Sequence, residues 1–577
     1  MTIKKMIAER LGEGIAALGV PGAPTAEELA SMLEYPPDDS MGDLALPCFK
    51  LSRTLRRAPV QIATALADCL AGLSCVGKAE AVNGYLNISV SHQYLTDSVL
   101  SGILDAGARY GASDVGCGKT VVLDYSSPNV AKPFHIGHLG TTVIGHSLKK
   151  LHEFAGYKCV GINYLGDWGT QFGKLIVAYK KWGDRQQIEE GGIDKLVELY
   201  VRINNAISGN EEKGIPADPA LGDAARAEFR KLELGDEENL ALWRWFIDIS
   251  LAEYQKTYKQ LGIEFDSYKG ESFYTDKMPA QVQKLRDMGL LKIDDGASIV
   301  DLEPYNMPPC LILKRDGSTL YPTRDIAAAV YRKETYDFDK AIYVTSAGQS
   351  LHFAQWFKVV ELMGYQWHDQ LVHVPYGTVS INGAKLATRT GNVVLLKDLF
   401  KAAIDEVAGI MEEKNPDLEN KQEVAEAVGV GAIVFYYLSN SRIKDINFVM
   451  EDALNFDGNT GPYAQYTYAR TCAVLRRAGD MEEIPLQITE NDEAALLKVL
   501  ARFPEKVNAA IADYEPSVIT RYILDVAAAF NRFYHNCQIL NAEDATVRAT
   551  RVALTRAVNV VLGNAFPLIC LKTMEKI

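Results

Sequence analysis

The chain has 577 residues, with 60 Lys and Arg against 74 Asp and Glu and a net charge of −14. That length exceeds what one hydrophobic core organises and implies about three to five domains, while 48% hydrophobic and 23% charged residues is the balance of a globular chain. The acidic excess argues against a general nucleic-acid binder, whose phosphate contacts need Lys and Arg, although the stretch from Phe456 to Ile577 is close to neutral and leaves room for local basic patches.

The first residues read as an amphipathic helix. Two lysines are soon followed by Glu9 and Glu13, so no signal peptide is expected. No apolar run reaches the roughly 18 residues that span a bilayer; a cytoplasmic protein without a membrane partner is expected. Residues 1–115 mix helix signals with short β runs. Pro59 stands where a helix takes a proline in its first turn, and Ala81–Val90 is strand-like around Gly84. Residues 116–380 hold four runs that read as buried parallel strands: Thr120–Asp124, Lys158–Asn163, Lys340–Val344 and Gln370–Val374. Between about 185 and 300 the pattern lapses into charged helices, for example Asp223 to Gln260, which reads as an insertion. Residues 381–455 form a connector with a helix near Val424 to Asn440, and residues 456–577 are almost wholly helical. Nine cysteines are scattered without a C-x-x-C pair; free thiols are expected, with neither a metal site nor a disulfide framework.

The densest chemistry runs from Asp124 to Gly145. A strand ends, a Ser-Ser-Pro-Asn turn follows, and a helix opens near His135-Ile-Gly-His138. A nucleotide lying beyond the strand ends would meet the helix N-terminus, whose free N–H groups and dipole attract phosphate. Gly137 lets the adenine ring or the phosphates approach the backbone. His135 and His138 are donors that can meet phosphoryl oxygens as charge develops. On its own H-x-G-H is a loop with two surface histidines; its place at a strand–turn–helix junction gives it the nucleotide reading.

The segment resembles the HIGH motif of class I aminoacyl-tRNA synthetases, and Ser126–Phe134 resembles the form found in arginyl-tRNA synthetases. Asn163–Gly173 is similar to that family's second strand and turn, Asp316–Asp325 to its arginine-binding segment, and Gly461–Arg470 to the start of its helical anticodon domain. Gly42-Asp-Leu-Ala and Asn83-Gly-Tyr-Leu-Asn resemble its extra N-terminal domain. The fold implied is a multidomain α/β chain. It has a Rossmann-like parallel-sheet catalytic domain with a helical insertion, an α+β N-terminal domain and an all-α C-terminal anticodon-binding domain. Two departures stand out. The family commonly has Arg after HIGH-Leu, and this chain has Gly140. The second class I signature, KMSKS, is reduced to Lys385-Leu-Ala-Thr-Arg389, with Thr388 in place of its second lysine. In relatives with this defect a lysine just upstream of HIGH supplies the charge. Lys132 occupies that place, and Arg389 is the other candidate.

The resemblance implies ATP-dependent ligation of L-arginine to tRNA(Arg) through an arginyl-adenylate, releasing AMP and pyrophosphate. Magnesium would escort ATP with no tightly bound metal, and the chain would act as a monomer. Lys132, His135, Gly137, His138, His352, Lys385 and Arg389 would handle ATP. A buried guanidinium needs planar acceptors; by resemblance Asp124, Tyr321 and Asp325 supply them, with Asn129 and Gln349 at the amino-acid end. On the residues alone Asp325 reads as a helix N-terminal carboxylate. Tyr463, Tyr466, Arg470, Arg532 and Tyr534 interleave aromatic and basic groups as unstacked anticodon bases require, and each also reads as bundle core. Arg53, Arg56 and Arg57 either touch the outer corner of tRNA or form a solvated charge run. The alternatives are a non-catalytic tRNA-binding paralogue and another HIGH-motif nucleotidyl transferase.

Overall fold

The first helix, Ile3–Ala16, places Ile7, Leu11 and Ile15 on one buried face at helical spacing. With the helix Pro59–Leu70 it covers an antiparallel sheet of β1 (Leu44–Pro47), β2 (Val76–Val82) and β3 (Tyr85–Val90), in the order β1-β3-β2. Residues 81–90, expected as one strand, turn back on themselves instead. Asn83 and Gly84 both take positive φ, 51° and 83°, which a two-residue hairpin turn requires so that its twist matches the strands. The structure is a computed structural model that describes residues 2–17, 22–38, 41–210, 214–381, 383–385, 394–479 and 484–577.

Val121, Val122 and Leu123 are apolar in succession, a pattern that only a strand covered on both faces satisfies. They lie in β4 (Thr120–Asp124), which pairs in parallel with β5 (Lys158–Ile162). Between β5 and β9 (Lys340–Ser346) come the helices Arg185–Ser208, Pro219–Glu233 and Glu237–Leu261. After them stands an antiparallel sheet of β6 (Leu291–Asp294), β7 (Ala297–Val300) and β8 (Cys310–Leu313). The helices agree with the expected insertion; the small sheet does not. Its strands have four residues each, too few for a period to emerge. With β10 (Leu371–Tyr376) the parallel sheet runs β10-β9-β4-β5. Val121, Leu123, Ile342 and Val344 face the helix Ile136–Phe154, whereas Val122, Ala341 and Tyr343 face Trp356 and Val360 on the other side. The chain leaves β4 toward β5 on one side and later fills β9 on the other. A crevice opens beyond strand ends at such a reversal.

Beyond β10 a mixed sheet of β11 (Val379–Ile381), β12 (Ala384–Lys385) and β13 (Ile446–Phe448) joins the helices Leu396–Lys414 and Lys421–Leu438 to the sheet. The last helices pack as a bundle. Within it the segment Ala545–Ile569 is long and apolar enough to cross a membrane by length and composition, with a mean hydropathy of 1.5. Arg548, Arg551 and Arg556 break its sequence run, and 61% of the window is buried in the fold.

Gly140 has a structural reason. A Cβ at this position would lie 2.1 Å from the Tyr437 hydroxyl, 2.8 Å from Tyr437 Cζ and 3.2 Å from Tyr376 Cε2. The space that a side chain at 140 would need is filled by a tyrosine from the helix Lys421–Leu438. Gly140→Ala gains about 1 kcal/mol of helix propensity but overpacks the contact at about 1–3 kcal/mol. Its melting temperature should therefore fall, and should fall less in a Tyr437→Phe background, which lacks the nearest atom. An unchanged melting temperature in the single variant would mean that Tyr437 swings aside freely.

Candidate active site

The chain leaves β4 through a backbone that glycine would ordinarily provide. Ser126, Ser127 and Ala131 take φ of 70°, 45° and 58°, at a cost of roughly 1–2 kcal/mol each. Side chains hold them there. Ser126 N–H donates to Thr141 Oγ1 (3.0 Å), and Thr141 Oγ1–H donates to Val344 O of β9 (2.7 Å). The Ser126 and Tyr258 hydroxyls share a hydrogen bond of 2.7 Å, and Ala131 N–H donates to Ser250 Oγ (3.1 Å).

This turn delivers His135 to the N-cap of Ile136–Phe154. His135 Nδ1 accepts the Gly137 N–H (3.0 Å), and His135 N–H donates to His138 Nδ1 (3.1 Å). An imidazole whose Nδ1 accepts a hydrogen bond carries its proton on Nε2, so both rings are left with an Nε2–H to donate. Burial, helped by the charge of Lys132, pulls the His135 pKa down to about 4. Burial, then His135 and Lys132, pulls that of His138 down to about 3. Both are neutral donors at pH 7. Phe134 stacks on His138 at 5.0 Å between centroids.

Beyond β4 and β9 lies a cavity of about 620 Å³. His138, Thr141 and Tyr376 line it on the side of the signature helix, and Asp124, Tyr164, Glu271, Asp325 and Arg332 line its acidic end. Arg332 Nη2 meets Asp124 Oδ2 at 2.8 Å, and Arg324 Nη1 meets Glu271 Oε2 at 2.5 Å. Asp325 Oδ2 lies 2.6 Å from His352 Nε2. Three carboxylates stand against two guanidinium groups, so with the His352 imidazole neutral the ionised end has one negative charge to spare. Burial pushes the Asp124 carboxyl up despite the opposing Arg332 charge. Burial also raises Glu271 to about 7; Arg324 opposes the shift, and Asp325 and Asp167 add to it.

Asp325 is not a helix cap. The helix Tyr321–Tyr336 begins four residues earlier, and the carboxylate turns to His352. Asp124 lines the cavity while ion-paired with Arg332 and accepting from Ser127 Oγ–H (2.9 Å). Tyr321 stands at the mouth, 66% exposed, and Asn129 and Gln349 form the exposed rim. His352 sits at the acidic end and not beside His135. Lys132 is exposed, and its carbonyl accepts from Tyr254 OH (2.7 Å). The Lys385 backbone lies in β12, whereas Thr388 and Arg389 are outside the described residues. The chain that follows is stitched to the first signature: Ile136 N–H donates to Val394 O (3.3 Å) and Leu396 N–H to Phe134 O (2.9 Å). Among the described residues no group of three or more His, Cys, Asp or Glu could hold a metal ion.

Sequence reasoning missed Glu271, Arg332 and Tyr376. Glu271 is presented by a turn that Asp167 holds, accepting from Ser272 N–H (2.8 Å) and Ser272 Oγ–H (2.6 Å). A Cβ on Gly270 would come within 2.5 Å of Asp167 Cγ. The Gly-Asp-Trp segment therefore serves a residue about a hundred positions on, a signal that only the fold reveals. On the helical bundle, Tyr466 and Tyr534 are exposed at 44% and 41%. The Arg470 guanidinium sits 5.0 Å from each ring centroid and donates to Asn531 Oδ1 (2.5 Å). Tyr463 OH accepts from Asn531 Nδ2 (2.8 Å), and Arg532 is exposed on the same helix as Tyr534.

Family models match three stretches of the chain: Arginyl tRNA synthetase N terminal domain over residues 1–90, tRNA synthetases class I (R), catalytic domain over 99–450, and DALR anticodon binding domain over 464–577. An arginine–tRNA ligase of Alkaliphilus metalliredigens is 47% identical over 582 residues, covering 99% of both chains. One of Clostridioides difficile is 49% identical over 555 residues, covering 95% of this chain and 96% of its own. The solved arginyl-tRNA synthetase of Thermus thermophilus matches with a TM-score of 0.84 at 24% identity, over 100% of both chains. That of Plasmodium falciparum matches at 0.82 and 22%, over 100% of this chain and 99% of its own. At these identities the two structures speak to the fold.

The acidic end has a pH signature. A cation entering it favours ionised Glu271, so below pH 7 its entry must expel a proton. With arginine as the probe, the dissociation constant should fall about fivefold from pH 6 to pH 7 and level off above about 8. The histidine pair, with pKa values of about 4 and 3, is silent in this window. Calorimetry in buffers of different ionisation enthalpy checks the proton release, and Glu271→Gln should flatten the profile. A dissociation constant that holds steady across the window in the unaltered chain would rule out Glu271 as a partner of the ligand.

Proposed function

Because the chain belongs to the arginyl-tRNA synthetase family, we propose that it ligates L-arginine to tRNA(Arg) with ATP, using the cavity at the β4–β9 reversal for the chemistry. The observation that carries this reading is that one cavity joins a cation-accepting acidic end to the capped N-terminus of the signature helix. Asp325 and Glu271 flank the substrate guanidinium with Tyr321 at the mouth. Asp124 adds its field from behind, and Asn129 and Gln349 hold the amino-acid end. The arginine carboxylate attacks the α-phosphorus of ATP, the bond to the bridging oxygen breaks, and pyrophosphate leaves. The 2′-hydroxyl of the terminal tRNA ribose then attacks the arginyl carbonyl and AMP departs.

No protein nucleophile is needed, because positioning and charge stabilisation lower the barrier. The Nε2–H groups of His135 and His138 donate to phosphoryl oxygens as charge grows. Lys132 supplies the ammonium that Thr388 cannot, with Gly137 and Lys385 on the same phosphates and Arg389 as the competing cation. Magnesium travels with ATP and needs no dedicated protein cage. The Tyr466–Arg470–Tyr534 sandwich offers stacking faces to unpaired anticodon bases. We divide the chain into a tRNA-contacting module (1–115), a catalytic domain (116–380), a connector (381–455) and an anticodon-binding bundle (456–577), acting as a monomer in the cytoplasm.

Charging assays with each amino acid and total tRNA test the reading. Arginine alone should be attached; binding of tRNA without charging would mark a non-catalytic paralogue. Lys132→Ala should lower kcat for adenylate formation by roughly 10²–10³, about 3–4 kcal/mol, with arginine binding and melting temperature nearly unchanged. Asp325→Asn should instead cost roughly 2–4 kcal/mol in kcat/KM for arginine and spare the KM for ATP. A near-normal kcat in Lys132→Ala would return the missing charge to Arg389.

A further inference from the structure

Tyr376 ends β10, lines the cavity beside His138 and Thr141, and packs against Gly140. β10 is the edge strand of the parallel sheet, so only β9 supports Tyr376 from within that sheet. Its outer side is gripped by one arginine. Arg442 Nη1 donates to Pro375 O (2.6 Å), and Gly377 N–H donates to Arg442 O (2.8 Å), so both neighbours of Tyr376 are tied to the same residue. The approach is close enough to demand glycine at 377, where a Cβ would meet Lys444 O at 2.4 Å.

The other side of Arg442 belongs to the helical bundle. Arg442 Nε donates to Tyr514 O (2.9 Å), and its N–H lies 3.3 Å from both oxygens of Glu515, which also accepts from Ser441 Oγ (3.0 Å). Tyr514 and Glu515 form the turn that leads into the helix Ser517–Asn536. That helix carries Tyr534 of the exposed sandwich near its far end, roughly 25 Å along at the helical rise. A helix that presents an aromatic face to solvent at one end thus holds, at the other, the arginine that fixes the cavity wall.

We propose that Arg442 is a positioning residue that sets the Tyr376 wall at the ATP end of the cavity, held from behind by the Tyr514–Glu515 turn of the bundle. This rests on the functional reading above. An arginine suits this place because its Nε and Nη1 meet Tyr514 O and Pro375 O separately, whereas the three donors of a lysine all leave from one nitrogen. Tyr376 stands on the signature-helix side of the cavity, so the consequence falls on ATP and not on arginine.

The test uses the full chain and ATP–pyrophosphate exchange with arginine and saturating tRNA. Arg442→Lys should raise the KM for ATP about tenfold and lower the melting temperature, with the KM for arginine little changed. In a Tyr376→Leu background the same change should matter less than about twofold, because its route of action is gone. Glu515→Gln, which acts from the bundle side, should shift the KM for ATP in the same direction and carries the test if Arg442→Lys does not fold. A normal KM for ATP in the folded variants, or full additivity with Tyr376→Leu, overturns the assignment of Arg442. Failure of the unaltered chain to charge tRNA with arginine would overturn the functional reading instead.

Discussion

One hydroxyl, that of Thr141, organises the site. It accepts the N–H of Ser126 and donates to the carbonyl of Val344, so a single atom joins the turn after β4, the signature helix and β9. Without it two backbone groups would be buried unpaired, each at about 1–3 kcal/mol. The left-handed residues that steer the chain toward His135 would also lose a restraint. The cavity exists because these three elements are held at one distance, and His138, Asp124 and Tyr343 line it because they ride on those elements.

The acidic end shows a different economy. Carboxylates buried to face a cation are costly to ionise while the site is empty. The fold offsets that cost with its own guanidinium groups, Arg332 for Asp124 and Arg324 for Glu271. Arg332 in turn rests among aromatic rings, 5.1 Å from Tyr164 and 5.6 Å from Tyr343. Two internal arginines thus balance two of the buried carboxylates, and Asp325 turns to His352 instead of to a guanidinium.

Much of this was legible in the sequence. The four parallel strands were visible because a strand buried on both faces has no polar alternation to hide it. The signature was visible because strand, turn and helix follow one another directly. The short sheet β6–β8 was not, since four-residue strands carry too little pattern. The hairpin at Asn83-Gly84 hides within a continuous strand-like run, and only the Asn-Gly pair marks its turn. Within the cavity, Asp325 and Tyr321 could be named from a contiguous segment. Glu271 and Tyr376 could not, because each is placed by a partner far away in the chain, Asp167 in one case and Arg442 in the other.

The capping arrangement of the two histidines changes what kind of residue they are. Each Nδ1 is occupied by a backbone N–H, each proton is confined to Nε2, and burial together with the nearby lysine keeps both rings uncharged. Histidine is usually valued for a charge that switches near neutrality. Here that property is suppressed, and in the empty site the pair behaves like two amide side chains: one face accepts and the other donates. The signature helix therefore presents to the cavity a fixed pattern of dipoles that acidification through the physiological range leaves untouched.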